Sequence, residues 1–113
     1  MLEMPETMVE MALKTMGDRW KVMIIQELME GTKRFGEIKK ELGNITQKVL
    51  TANLRSLEEK GILIRTVYAQ IPPRVEYTLT NLGYSLKPVL DSMKAWAEEY
   101  YEQNVKSLLP DMA

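Results

Sequence analysis

Apolar residues recur at three- and four-residue intervals along most of the chain, give way once to an alternating β-rich stretch, and then return to the helical period. Met8, Met11, Ala12 and either Thr15 or Met16 form a first stripe with Glu6, Glu10 and Lys14 outside it, which predicts a disordered start and a helix running from just after Pro5 to residue 16. Gly17 breaks this helix, and Asp18 caps a second that carries Trp20, Met23, Ile24, Leu28 and Met29 toward Gly31. The adjacent pair Ile24 and Ile25 implies burial on more than one side, so this is the expected core helix, with Arg19 and Lys21 at its surface. Residues 32–35 read as a short extended link. Phe35, Ile38 and Leu42 then mark a brief third helix, ended by Gly43, with Lys39 and Lys40 outward.

Residues 44–61 are the stretch the rest is organised around. Thr46 stands where an N-cap belongs, Gly61 where a helix is left, and Val49, Leu50, Leu54 and Leu57 fall on one side to anchor the helix in a core. The opposite side carries Gln47, Lys48, Thr51, Ala52 and Arg55, with Glu58 and Glu59 held back to the last turn. Such a face offers cations for phosphates, an amide and a hydroxyl for base edges, and an alanine that permits close approach. A merely solvated polar face has the same composition, so context must decide. Two short helices joined by a tight glycine-containing turn, the second basic outward, supply that context as a helix-turn-helix.

Residues 62–68 and 75–79 are rich in β-branched and aromatic side chains and bracket a six-residue loop stiffened by Pro72 and Pro73, which predicts a hairpin placed as a wing. At the base of its tip, Arg74 is positioned to enter a minor groove or clamp a phosphate; on a lone hairpin a surface ion pair with Glu76 or another acid is the preferred reading. Thr80 caps the last helical region, and Pro88 inside it predicts a bend or restart near Lys87. Leu82 and Leu86 are expected to complete the core. Leu86, Val89, Leu90, Met93, Trp96 and Tyr100, prolonged by Tyr101 and Val105, outrun the partners one small domain can offer and imply a second subunit. The methionine stripe with Met8 and Met11 is read as packing in core or dimer. Residues 107–113 carry no readable signal.

At 113 residues, 45% hydrophobic and 27% charged, the chain has the makeup of one soluble globular domain. A net charge of −1 favours no partner, but its distribution does: between Lys33 and Thr78 nine Lys/Arg face five Asp/Glu, a local +4, against −5 for the remainder. The absence of cysteine and histidine excludes disulfides, thiol switches, Cys/His zinc sites and imidazole catalysis. No apolar run approaches the ~20 residues of a membrane span, and no signal peptide is recognisable, so a cytoplasmic location without membrane contact is expected. Carboxylate-only catalysis would rest on Glu58 and Glu59 beside Lys60 with no evident cleft, so no enzymatic role and no cofactor are expected.

Five blocks complete the picture: Gly17-Asp18-Arg19-Trp20-Lys21; Gly31-Thr32-Lys33-Arg34-Phe35 with Glu37-Ile38; Ile45-Thr46-Gln47-Lys48-Val49-Leu50; Leu54-Arg55-Ser56-Leu57-Glu58; and Pro72-Pro73-Arg74-Val75-Glu76-Tyr77-Thr78-Leu79. In order and spacing the chain resembles the HxlR-type family of bacterial and archaeal winged helix-turn-helix regulators, related in architecture to MarR regulators. The resemblance implies a mainly α fold with a small antiparallel β-hairpin: N-terminal and core helices over 6–31, helix-turn-helix and wing over 32–79, and a dimerisation helix over 80–106. It further implies a homodimer that binds an inverted-repeat operator in double-stranded DNA, with Thr46, Gln47, Lys48, Thr51 and Arg55 as recognition-helix contacts. Lys33, Arg34 and Arg74 are implied as backbone or minor-groove contacts. Many family members sense oxidants through a cysteine ahead of the Gly-x-x-Trp-Lys segment; this chain has none, so thiol sensing does not apply. With no separate activation module a repressor is expected, and a small-molecule effector would have room among Met8, Met11, Trp20, Met93 and Trp96. The alternative reading is a winged-helix protein-interaction module without DNA binding, which would not need the basic face.

Overall fold

The computed structural model describes residues 7–105. The expected disordered start, the helix opening at Pro5, the tail from Ser107 and the side chain of Val105 lie outside the described residues. The first helix, α1 (Met8–Met16), starts at Thr7, whose hydroxyl accepts from the Glu10 amide at 3.0 Å. The second, α2 (Arg19–Leu28), is capped as expected by Asp18, whose carboxylate accepts from the Lys21 amide at 3.2 Å. After a two-residue strand, β1 (Lys33–Arg34), come α3 (Phe35–Leu42) and α4 (Gln47–Glu59). Thr46 caps α4, accepting from the Val49 amide at 3.1 Å; loss of such a cap costs roughly 1 kcal/mol. Gly43 and Gly61 leave α3 and α4 at φ 79° and 76°, a left-handed backbone that a side chain would strain. The first creates the tight turn of the helix-turn-helix, and the second swings the chain from α4 into the sheet.

The sheet has three strands, not the two of a bare hairpin. β2 (Leu63–Tyr68) and β3 (Arg74–Leu79) pair antiparallel from Leu63–Leu79 to Tyr68–Arg74, and β1 joins the free edge of β3 to give the order β1-β3-β2. The link expected over 32–35 is thus a strand, and it anchors the start of α3 to the wing. Thr32 and Thr78 share a 2.7 Å hydrogen bond beside this added strand. The last helical region is two helices, α5 (Asn81–Tyr84) and α6 (Lys87–Tyr100), followed by a π-helical turn over Tyr101–Val105. Pro88 falls in the first turn of α6, where its missing N–H costs nothing, which is the predicted restart.

One core unites the elements. Ile24, Ile25 and Leu28 of α2, Ile38 of α3, Leu50, Leu54 and Leu57 of α4, and Leu63, Tyr77 and Leu79 of the sheet are buried together. Each fully buried leucine contributes roughly 1.5–3 kcal/mol, so three of them on α4 fix which face that helix can turn outward. Four side chains depart from expectation. Val49 is 37% exposed, and the place assigned to it on the inner face of α4 is taken by Asn53. Leu82 lies exposed on the single turn of α5, while Leu90, expected at a subunit seam, is 6% exposed within the protomer's own core, against which Leu86 packs half-buried. Lys21 is not a surface cation: its side chain is 15% exposed and its ammonium donates to the Asn53 side-chain oxygen at 2.9 Å. The winged helix-turn-helix architecture, mainly α with a small antiparallel sheet, is otherwise as anticipated.

Candidate nucleic-acid interface

The seam of leucines under α4 turns Gln47, Lys48, Thr51, Ala52 and Arg55 together onto one open surface. At 100° per residue Lys48, Ala52 and Arg55 stand about 100° or more from Leu50, Leu54 and Leu57, so burial of the leucines presents them, while Thr51 flanks the seam half-buried and Gln47, in line with Leu54, is exposed in the first turn. Among the described residues neither Lys48 nor Arg55 has an ion-pair partner, which leaves both charges available. The rotation of the helix has a second control. Asn53 donates to the Val49 carbonyl one turn back at 2.9 Å while accepting from Lys21, so α4 is tied to the start of α2 by a half-buried polar link. At its other end the Lys60 ammonium donates to the Lys14 carbonyl at 3.0 Å, joining α4 to α1.

The three cations placed around α4 by the resemblance differ in circumstance. Arg34 is exposed, and its backbone amide donates to the Glu37 carboxylate at 2.9 Å, which starts α3. Lys33 is committed: its ammonium is held by Glu27 and, at 3.0 Å, by Glu30, and these hydrogen bonds, Glu27 foremost, raise its pKa above the ordinary lysine value. Arg74 lies in β3 with its guanidinium over the Tyr68 ring, 4.2 Å from the centroid, and its Nε 3.5 Å from Glu76. Of the two readings open for Arg74, the ion pair is the one present in the free protein.

Arg65 was not singled out in the sequence, and it belongs to the site. It stands opposite Tyr77 in the β2–β3 ladder, on the sheet face that also carries Leu63 and Leu79, and so looks toward the helices. There it lines, with Phe35, Gln47, Thr51, Leu54, Arg55, Glu58 and Tyr77, a cleft of about 350 Å³ between the recognition-like helix and the sheet. The sequence carries a signal for this: a two-residue alternation from Leu63 puts Arg65 on the sheet face shared with the core, at whose open edge it stays exposed.

The residues assigned to a subunit seam separate into two groups. Met8, Met11, Val89, Met93, Trp96 and Tyr100 are all exposed, Trp96 at 67%, whereas Leu86 and Leu90 serve the protomer core. Trp96 and Tyr100 stack with ring centroids 5.3 Å apart and planes 13° from parallel. Of Met8, Met11, Trp20, Met93 and Trp96, grouped above as room for an effector, Trp20 packs half-buried against the core and the other four are exposed on the protomer. Among the described residues no helix is long and apolar enough to cross a membrane.

A profile described as HxlR-like helix-turn-helix matches residues 15–105. The chain is 45% identical over 95 residues to the uncharacterized HTH-type transcriptional regulator YdeP of Bacillus subtilis, covering 84% of this chain and 74% of that protein. It is 44% identical over 92 residues to an uncharacterized HTH-type transcriptional regulator of Methanothermobacter thermautotrophicus, covering 81% and 70%. Among solved structures, the reduced form of the transcriptional regulator YodB from Bacillus subtilis matches with a TM-score of 0.78 at 40% identity, covering 89% of this chain and 99% of that one. The redox regulator HypR in its reduced form matches with a TM-score of 0.80 at 41% identity, covering 88% and 96%.

Proposed function

The chain belongs to the HxlR-like helix-turn-helix family, and from that premise we propose that it is a homodimeric transcriptional repressor of the cytoplasm that binds an inverted-repeat operator through α4. The observation that carries the reading is the outward, unpaired cationic face of Gln47, Lys48, Thr51 and Arg55, fixed by the buried leucines behind it. Lys48 and Arg55 supply phosphate affinity, with Arg34 beside them, while Gln47 and Thr51 read base edges. Thr46 holds the first turn of the helix, the end that enters the groove. Lys33, engaged by two carboxylates, acts on the interface by bracing β1, and Arg74 contributes once it exchanges Glu76 for a phosphate.

In the proposed dimer the exposed α1 and α6 residues pack against the partner, and the two α4 helices meet successive major grooves about one helical turn apart. The names of YodB and HypR attach regulation, and for HypR redox regulation, to those proteins. This sequence contains no cysteine, so a thiol–disulfide step cannot control it.

The test is selection of bound duplexes from a random pool, followed by anisotropy titrations at fixed salt. A palindromic consensus is expected, and Arg55→Ala should weaken binding to it roughly tenfold without loss of fold. Selection that returns no duplex would favour the protein-interaction reading, and an unchanged affinity for Arg55→Ala would remove α4 from the interface.

A further inference from the structure

The cleft between α4 and the wing has an arginine on each wall. Arg55 comes from the helix and Arg65 from β2, while Phe35, Leu54 and Tyr77 form an apolar floor. Glu58 lines the same cleft one turn beyond Arg55, and among the described residues it forms no ion pair with either arginine, so the cleft carries two positive charges against one negative, a net +1. Both arginines are exposed, and the cleft's net positive charge favours an anion there. The apolar floor leaves that anion to be held from the sides, by planar guanidinium groups suited to paired oxygen atoms.

Resting on the DNA-binding reading above, we infer that this cleft is a phosphate clamp for the DNA backbone, with Arg65 as a binding residue distinct from the groove-reading face. The geometry of a duplex demands something at this point. When α4 occupies a major groove and the wing flanks the neighbouring minor groove, the strand of backbone separating the two grooves must pass between helix and sheet. That is where the cleft lies. The clamp grips phosphodiester and reads no base, so it sets the depth and register of α4 without choosing the sequence. A free phosphate offers the same oxygen atoms, and the experiment separates the two sources.

The affinity of the full chain, its Arg65→Ala and its Arg65→Lys variants for the selected operator and for an unrelated duplex is measured across a series of salt concentrations. Each phosphate contact contributes about 0.9 to the slope of log K against log salt. Arg65→Ala should therefore flatten the slope by about 0.9 per protomer, or about 1.8 for a dimer, and lower affinity by about eightfold per protomer at 0.1 M salt relative to 1 M. Both duplexes should lose the same factor. Arg65→Lys should keep the slope and lose part of the affinity, because the charge stays and the bidentate fork goes. Thermal denaturation checks that both variants fold. A slope unchanged by Arg65→Ala, or a loss confined to the operator, overturns the clamp. So does saturable binding of inorganic phosphate in the absence of DNA, read from the Arg65 side-chain NMR signal at constant ionic strength, since that would assign the cleft to a free anion. Failure of the unaltered chain to bind any duplex would instead count against the DNA-binding reading itself.

Discussion

Replacing Asn53 by leucine should cost roughly 2 kcal/mol of stability, although it makes a buried position more apolar. The side chain is 7% exposed and its oxygen accepts from the Lys21 ammonium at 2.9 Å. A hydrogen bond to a charged partner is worth about 1.5–3 kcal/mol when its loss leaves the charge without a mate. Lys21 keeps one other acid nearby, Asp18 at 3.8 Å, but that carboxylate is 62% exposed and offers little compensation through water. The lysine also has little room to withdraw, since its aliphatic stem lies so close over Gly17 that a Cβ there would stand 2.3 Å from Lys21 Cδ. Lys21→Met should cost a similar amount by stranding the Asn53 amide. The two changes made together should cost much less than their sum, with a coupling energy of about 1.5–2 kcal/mol. Urea unfolding followed by tryptophan fluorescence gives the cycle, with protein concentration held constant because the stability of the proposed dimer would depend on it. For a domain of this size the Asn53→Leu loss corresponds to a fall in Tm of roughly 8 °C. Additive single effects, with coupling below about 0.5 kcal/mol, would mean that Lys21 and Asn53 only happen to be adjacent and that the leucine seam alone sets the rotation of α4.

Gly83→Ala should be strongly destabilising, by roughly 2–3 kcal/mol, because the new Cβ would stand 2.3 Å from the Ile62 backbone carbonyl oxygen, which no rotamer change can move; thermal denaturation reads this directly, and an unchanged Tm would show that α5 can slide off the sheet. Lys33 is held by Glu27 and Glu30 with its pKa raised above the ordinary 10.5, so its contribution is fully present below that pH and is lost as pH rises through the folded value. The stability difference between the unaltered protein and Lys33→Met should accordingly be flat from neutral pH to about 10 and shrink only above it, as followed by urea titrations at successive pH values.

The chain announced its helices through their ends, and less clearly through their faces. Asp18, Thr46 and Thr80 cap the elements they were expected to cap because each side chain satisfies a free amide in the first turn, a strictly local requirement. The inner face of α4 was read by apolarity, which brought in Val49 and left out Asn53. Helix geometry settles it otherwise: Asn53 lies about 60° from Leu50 on the side of Leu57, while Val49 lies about 100° away. The core takes the nearer residue and satisfies its amide with Lys21. Strand β1 was illegible for a different reason. Two residues have no period, and Lys33 and Arg34 are extended because β3 offers them an edge. Arg65 is different again: strand alternation from Leu63 assigns its sheet face, but only the packing of α4 beside that face makes it part of a cleft.

Apolar stripes are ambiguous in a way that charge is not, and α6 is where this matters. Leu90 and Trp96 belong to one continuous helical pattern, yet Leu90 is buried in the protomer core, near Met29 at the end of α2, and Trp96 is exposed. The division has a mechanical consequence for the proposed dimer. Leu90 seats α6 on the same core that seats α4, so the helix that would meet the partner and the helix that would meet DNA share a single set of packed side chains. Close-packed interiors transmit displacement and do not absorb it. The spacing of two recognition helices would then be set by core packing, with the Lys21–Asn53 and Lys60–Lys14 links fixing rotation, and any signal that alters the spacing must repack that core or shift α6 across its partner.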